Sequence, residues 1–189
     1  MNKEKRAESI IQTAQKLFLE YGYDQVSVMD ICEACQITKP TFYRYIHSKD
    51  DLLRSLFTHS LDELNEKIKM IDSKNYWELF FISLTYSMEK NIEYGWELYS
   101  KYWILNLNEK KEVYPLTNYA RSITIAYLKE GQKSGQIQNQ SDPTKLFAVC
   151  KNIILGYSIK WCMTMGGFDL IKTCRKDLHQ VLNVQKKVF

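Results

Sequence analysis

The chain has 189 residues, 45% of them hydrophobic and 25% charged. These values exclude a disordered polypeptide and suit one ordinary domain, or a small module sharing its core with a companion. Seven Gly and three Pro (Pro40, Pro115, Pro143) are too few for the closely spaced turns of a sandwich of strands, so helices are expected throughout. Twenty-six Lys and Arg against 22 Asp and Glu leave a net charge of +4, too mild by itself to mark a nucleic-acid binder.

Five cysteines, at positions 32, 35, 150, 162 and 174, form an odd set behind a charged start, MNKEKRAES, with no apolar leader. That combination predicts free thiols and a cytoplasmic protein. The longest apolar stretch, around Ile153 to Met165, is interrupted by Lys160 and falls short of the ~18 uninterrupted residues of a membrane span, so no membrane partner is expected.

Taken in chain order, Ala7, Ile10, Ile11, Ala14, Leu17, Phe18 and Tyr21 recur with helical spacing, and Gly22 supplies a stop. Ser27 with Asp30 forms a capping box that opens a short second helix. Thr38 caps a third, with Pro40 in its first turn, where a missing N–H costs little. Ser48 with Asp51 reads as a second box, opening one long helix striped by Leu52, Leu53, Leu56, Phe57, Leu61, Leu64, Ile68 and Ile71. Further helices are expected near 75–94, 96–107, 115–133, 143–165 and 168–185, about nine in all. Two very short helices joined by a tight turn near Gln36 make a helix-turn-helix.

The stretch Thr38–Lys49 contains Lys39, Arg44, Lys49 and His47 but no carboxylate, whereas the first 58 residues balance eight basic against eight acidic groups. Placement of charge therefore matters more than its amount. Thr41, Tyr43 and Tyr45 add hydroxyls that can donate to phosphate oxygens, while Ile37, Phe42 and Ile46 supply an apolar face to seat the helix.

From Ser27 to Leu53 the chain resembles the TetR-type transcriptional regulators: a small helix, a tight turn, a short helix with a T-F-Y core (Thr41–Tyr43), the Ser48-Lys49 pair and an acidic-aliphatic helix start. Gly131 to Gly135, followed by Asp142-Pro143 and Leu146, extends the likeness. The resemblance implies an all-α architecture with a three-helix DNA-binding domain at 1–47 and a larger effector-binding and dimerisation domain at 48–189. It implies that Lys39 and Pro40 face base edges and that Thr41, Tyr43, Tyr45 and Lys49 clamp phosphates; Ser27, Thr38 and Arg44 complete the DNA-binding set. Gln36 stands where the family usually has Gly, and a left-handed backbone there costs roughly 1–2 kcal/mol.

Five of the ten residues from Tyr94 to Trp103 are aromatic. Because TetR-like proteins hold an effector within the helical domain, Tyr86, Trp96, Tyr99, Trp103, Tyr127 and Trp161 are candidates for an aromatic-lined site. Glu89, Glu93, Glu97 and Lys101 follow at i, i+4 spacing, reading either as a solvated stripe with a Glu97–Lys101 pair or as a carboxylate source for a cationic ligand. The expected effector is aromatic or hydrophobic, with a cationic one admitted. Ile153, Tyr157, Phe168, Ile171, Cys174, Leu178 and Val181 are candidates for a homodimer interface of the four-helix kind.

Cys32-x-x-Cys35 reads as packing rather than as a redox pair or half a zinc site. His47, His59 and His179 are scattered, with no nucleophile and base beside them, so neither enzyme activity nor a cofactor is expected. The reading is a DNA-binding regulator, a repressor released by a small molecule. An effector-independent architectural DNA binder and a small helical enzyme are the alternatives.

Overall fold

Local capping chemistry builds the N-terminal helices of the computed structural model, which describes residues 3–59, 61–109 and 118–185. Helix α1 (Lys3–Tyr21) stops at Gly22, whose φ of 84° lies in the left-handed region and whose N–H reaches the Phe18 carbonyl at 3.0 Å. Helix α2 (Val28–Ala34) opens on a complete capping box: the Ser27 hydroxyl accepts from the Asp30 N–H, and the Ser27 N–H donates to the Asp30 carboxylate at 2.7 Å. Helix α3 (Lys39–Tyr45) is capped by Thr38, with Pro40 in its first turn. Gln36, in the turn between α2 and α3, takes φ 52° and accepts the left-handed strain that the sequence foretold.

The long helix expected from Ser48 is two helices, α4 (Lys49–Leu56) and α5 (Leu61–Lys69). Its apolar stripe continues in sequence, but Phe57 leaves helical geometry and stacks on Tyr102, the ring centroids 4.2 Å apart. The second capping box is also one-armed. Ser48 accepts from the Asp51 N–H at 2.9 Å, while the Asp51 carboxylate receives Arg54 at 2.8 Å.

Helices α6 (Tyr76–Ile92), α7 (Gly95–Asn108), α8 (Asn118–Lys133), α9 (Pro143–Met163) and α10 (Leu170–Val181) complete the described residues. The split of one expected helix raises the count from about nine to ten. The all-α class stands, and an isolated antiparallel bridge joins Ile137 and Val184. The expected start of the 115–133 helix at Pro115 lies outside the described residues.

Packing divides the chain into two compact units, Met1–His59 with Asn91–Val113, and Ser60–Lys90 with Tyr114–Phe189. In the first, α1 packs on α2, α3 and α4, and α4 packs on α7 around buried Ile10, Phe18, Ile31, Phe42, Leu52 and Leu53. In the second, α9 packs between α8 and α10. There Arg175 of α10 grips Glu78 of α6 through two hydrogen bonds of 2.6 and 2.7 Å, and its guanidinium lies 3.9 Å from the Phe81 ring centroid. Helix α9 is the one described helix long and apolar enough, by length and composition, to cross a bilayer. In the fold its Leu146, Phe147, Cys150, Ile154 and Trp161 are buried.

Candidate nucleic-acid interface

Helix α3 carries one fully buried anchor and a polar outer face. Phe42 is completely buried and Ile46 nearly so, with Ile37 half-buried beside them, so the expected apolar seat exists. Thr38, Lys39, Pro40, Tyr43 and Arg44 are exposed, and Thr41 and Tyr45 are half-buried. Placing Phe42 inward necessarily turns its neighbours outward on a helix of two turns. Within this face the Thr38 and Thr41 hydroxyls lie 3.0 Å apart, and Arg44 donates to the Tyr45 hydroxyl at 3.3 Å with its guanidinium 5.0 Å from the Tyr45 ring. That contact pre-orders two residues of the expected DNA-binding set as a pair. Lys39 stands free of such contacts among the described residues and can reach outward.

Lys49 and Ser27 both make contacts within the fold. The Lys49 ammonium is half-buried, donates to the Tyr23 carbonyl at 2.6 Å and lies 4.1 Å from the Tyr23 ring centroid. Burial pulls its pKa below the ordinary lysine value, opposed by the nearby Asp24 and Asp50 carboxylates. In this structure the ammonium is thus engaged with Tyr23. The Tyr23 phenol in turn donates to Asp50 at 2.5 Å, and burial followed by that carboxylate pushes its pKa up. Ser27 is exposed, yet its oxygen already accepts from the Met29 and Asp30 N–H groups; the Ser27 N–H holds the Asp30 carboxylate well below its usual range. Tyr23 and Asp50 were not singled out in the sequence, because 27 residues separate them and no local pattern links them. Cys32 is buried, and burial pushes its thiol pKa up, as suits a packed residue.

Residues 10–56 match the family model described as bacterial regulatory proteins, tetR family. Among curated proteins, the HTH-type transcriptional regulator YuxN of Bacillus subtilis, itself uncharacterised, is 42% identical over 65 residues, covering 34% of this chain and 22% of that protein. The HTH-type regulator YvdT of the same organism is 32% identical over 79 residues, 40% of each. The matched stretch thus spans less than half the length of these curated relatives. Among solved structures, that of Thermus thermophilus FadR, a TetR-family repressor crystallised with lauroyl-CoA, superposes with a TM-score of 0.68 at 17% identity, over 97% of this chain and 98% of that one.

Residues 10–56 are therefore similar to the N-terminal module of the tetR family of bacterial regulatory proteins.

The family and these relatives are transcriptional regulators, and the likeness of fold to FadR extends beyond the TetR-family module to the whole chain. Outside that module, the six aromatic candidates fall into both compact units: Trp96, Tyr99 and Trp103 in the first, Tyr86, Tyr127 and Trp161 in the second. Tyr99 is completely buried and stacks on Phe57 at 5.6 Å, with Trp103 tilted against it at 5.8 Å. The Tyr86 hydroxyl donates to Glu63 at 2.6 Å, and the Trp161 indole donates to the Phe168 carbonyl at 3.1 Å. Tyr127 is half-buried, and burial raises its pKa. Tyr86 and Trp161 therefore satisfy their polar groups within the fold, as packed aromatics do.

The row Glu89, Glu93, Glu97, Lys101 is interrupted where α6 ends and α7 begins. Glu89 pairs with Lys67 at 2.6 Å, and Lys101 pairs with Asp24 rather than with Glu97. Of the interface candidates, Ile153, Tyr157, Phe168, Ile171 and Val181 are half-buried, and Tyr157 donates to Asp177. Cys174 and Leu178 are fully buried inside one chain, Cys174 with its sulfur 4.0 Å from that of Met88. Those two belong to the core of the second unit, because the apolar face of α10 packs inward. A groove of about 360 Å³ remains between α9 and α10, lined by Ile153, Gly156, Tyr157 and Val181 among others.

Proposed function

We propose that this chain is a cytoplasmic, homodimeric repressor that binds a near-palindromic operator and is released by a small-molecule effector. Residues 1–47 serve as the DNA-binding domain and 48–189 as the effector-binding and dimerisation domain. The observation that carries the reading is the outer face of α3, where Thr38, Lys39, Pro40, Tyr43 and Arg44 are exposed over a buried Phe42 within the TetR-family match. Lys39 donates to guanine and the Pro40 ring touches a thymine methyl, while Thr41, Tyr43, Arg44 and Tyr45 hold phosphates and Ser27 contributes its hydroxyl.

The half-buried faces of α9 and α10 support a two-fold interface through Ile153, Tyr157, Phe168, Ile171 and Val181. Two copies related in this way present two α3 helices to successive major grooves. FadR's complex with lauroyl-CoA supports a ligand-responsive reading, with the aromatic candidates above as lining for a hydrophobic or aromatic effector. The effector must bind the low-affinity state better than the operator-bound state, and the operator must then weaken the effector reciprocally.

Genomic fragments captured by the purified chain test this reading. It expects a near-palindrome with half-sites about one helical turn apart, bound by two chains with an affinity that falls steeply with salt. One chain per site, or binding indifferent to salt, overturns it.

A further inference from the structure

The first compact unit holds a cleft of about 540 Å³ between the C-terminal end of α1, the loop after it and the first turns of α7. That volume lies in the range of small-molecule sites, roughly 300–1,000 Å³. Aromatic and charged groups share the lining: Phe18, Tyr23, Asp24, Trp96, Glu97 and Lys101. One ammonium faces two carboxylates, so the lining carries an excess negative charge. Lys101 pairs with Asp24 at the surface, whereas Glu97 is exposed and has no ion-pair partner among the described residues. A surface pair of this kind exchanges partners at little cost.

We propose that this cleft binds a hydrophobic aromatic monocation, its charge held by Glu97 and Asp24 and its rings by Trp96. Cations favour indole and phenol faces, and the neighbouring carboxylates add a charge term that a neutral or anionic ligand lacks. The site stands apart from the aromatic candidates of the second unit. Tyr23 also carries the Lys49 and Asp50 contacts at the start of α4, immediately after the recognition segment. Occupation of the cleft therefore bears on α4, the helix that follows α3 in the chain, a consequence that rests on the regulator reading; binding itself does not.

Calorimetry with tetraphenylphosphonium, and with tetraphenylborate as its isostere of opposite charge, tests the site on the full chain without DNA. One phosphonium per chain is expected, with no borate binding. Glu97→Gln and Asp24→Asn should each weaken the phosphonium about five- to tenfold. Glu97 is exposed, so its variant folds as the parent does, which circular dichroism verifies. No phosphonium binding, equal binding of the borate, or affinity unchanged in both variants overturns the proposal. In a second arm, saturating phosphonium should change the affinity for a captured operator fragment at least threefold in the parent, and in Glu97→Gln only at a five- to tenfold higher phosphonium concentration; unchanged affinity with the cleft filled overturns the coupling. A chain that binds phosphonium but no DNA at all refutes the regulator reading and leaves the cleft standing.

Discussion

Lys49 and Tyr23 form a single interlocked contact: the ammonium donates to the Tyr23 carbonyl at 2.6 Å while lying 4.1 Å from the centroid of the same residue's ring. The loop after α1 is thereby tied to the first residue of α4, with Tyr23 returning a hydrogen bond to Asp50. Lys49→Met should lower stability by about 1 kcal/mol, since it leaves the carbonyl without its charged donor. The salt dependence of DNA binding should keep the parent slope, because no phosphate contact is removed. A phosphate clamp would instead lose about one unit of that slope. Titrations at several salt concentrations read the difference directly.

Gln36 bears a left-handed backbone that glycine would adopt without strain. Gln36→Gly should stabilise the chain by about 0.5–1 kcal/mol, the relief of strain exceeding the entropy cost of glycine. Gln36→Val should destabilise it by more than about 1 kcal/mol. Urea unfolding of the three proteins checks the order. A glycine variant less stable than the parent contradicts it.

Alkaline pH should unfold the protein through its buried acids. Burial raises Tyr102 from 10.0 to about 12, and raises Cys150 and Cys174 from 9.0 to about 12. Between the unfolded and folded values the native state keeps a proton that the unfolded chain has released. Stability is therefore complete below pH 9 and falls as pH rises, by up to about 1.4 kcal/mol per pH unit for each group in its window. Tyr102→Phe retains the ring that stacks on Phe57 and should flatten the fall by one proton between pH 10 and 12. Identical slopes in parent and variant would refute the assignment.

Gly156 lies on the exposed side of α9, where an added Cβ meets nothing within 4 Å in its own chain. Gly156→Trp should fold with its helix intact, because glycine is the poorer helix former by nearly ~1 kcal/mol. If the α9–α10 groove is where two copies meet, the indole blocks closure, and sedimentation at micromolar concentration should report one chain where the parent reports two. A variant that sediments as two chains places the interface elsewhere.

The sequence was most informative where the determining chemistry is local. Ser27 with Asp30, Thr38 with Thr41, and Pro40 act across two to three residues, so α2, α3 and their turn could be read directly. The break between α4 and α5 was hidden because Phe57, Leu61 and Leu64 preserve the helical period across it. The stack on Tyr102, 45 residues further along, draws Phe57 aside. Periodicity likewise marked Cys174 and Leu178 as an apolar face without saying what covers it, and the covering is their own chain, with Met88 of α6 against Cys174. Trp96 and Trp161 were grouped by residue type, yet they belong to different compact units. Lys49 was given as a phosphate clamp by the family resemblance, and no local pattern could disclose its contact with Tyr23, 26 residues away.

The most direct measurement is the affinity of Lys39→Ala and Tyr43→Ala for captured operator duplexes, compared with duplexes carrying each single base change. Tyr43→Ala should weaken binding to all sequences alike. Lys39→Ala should weaken it and also erase about 1–3 kcal/mol of preference at one base position. Parent-like affinity and parent-like sequence preference in both variants would contradict the assignment of α3 as the surface that meets DNA.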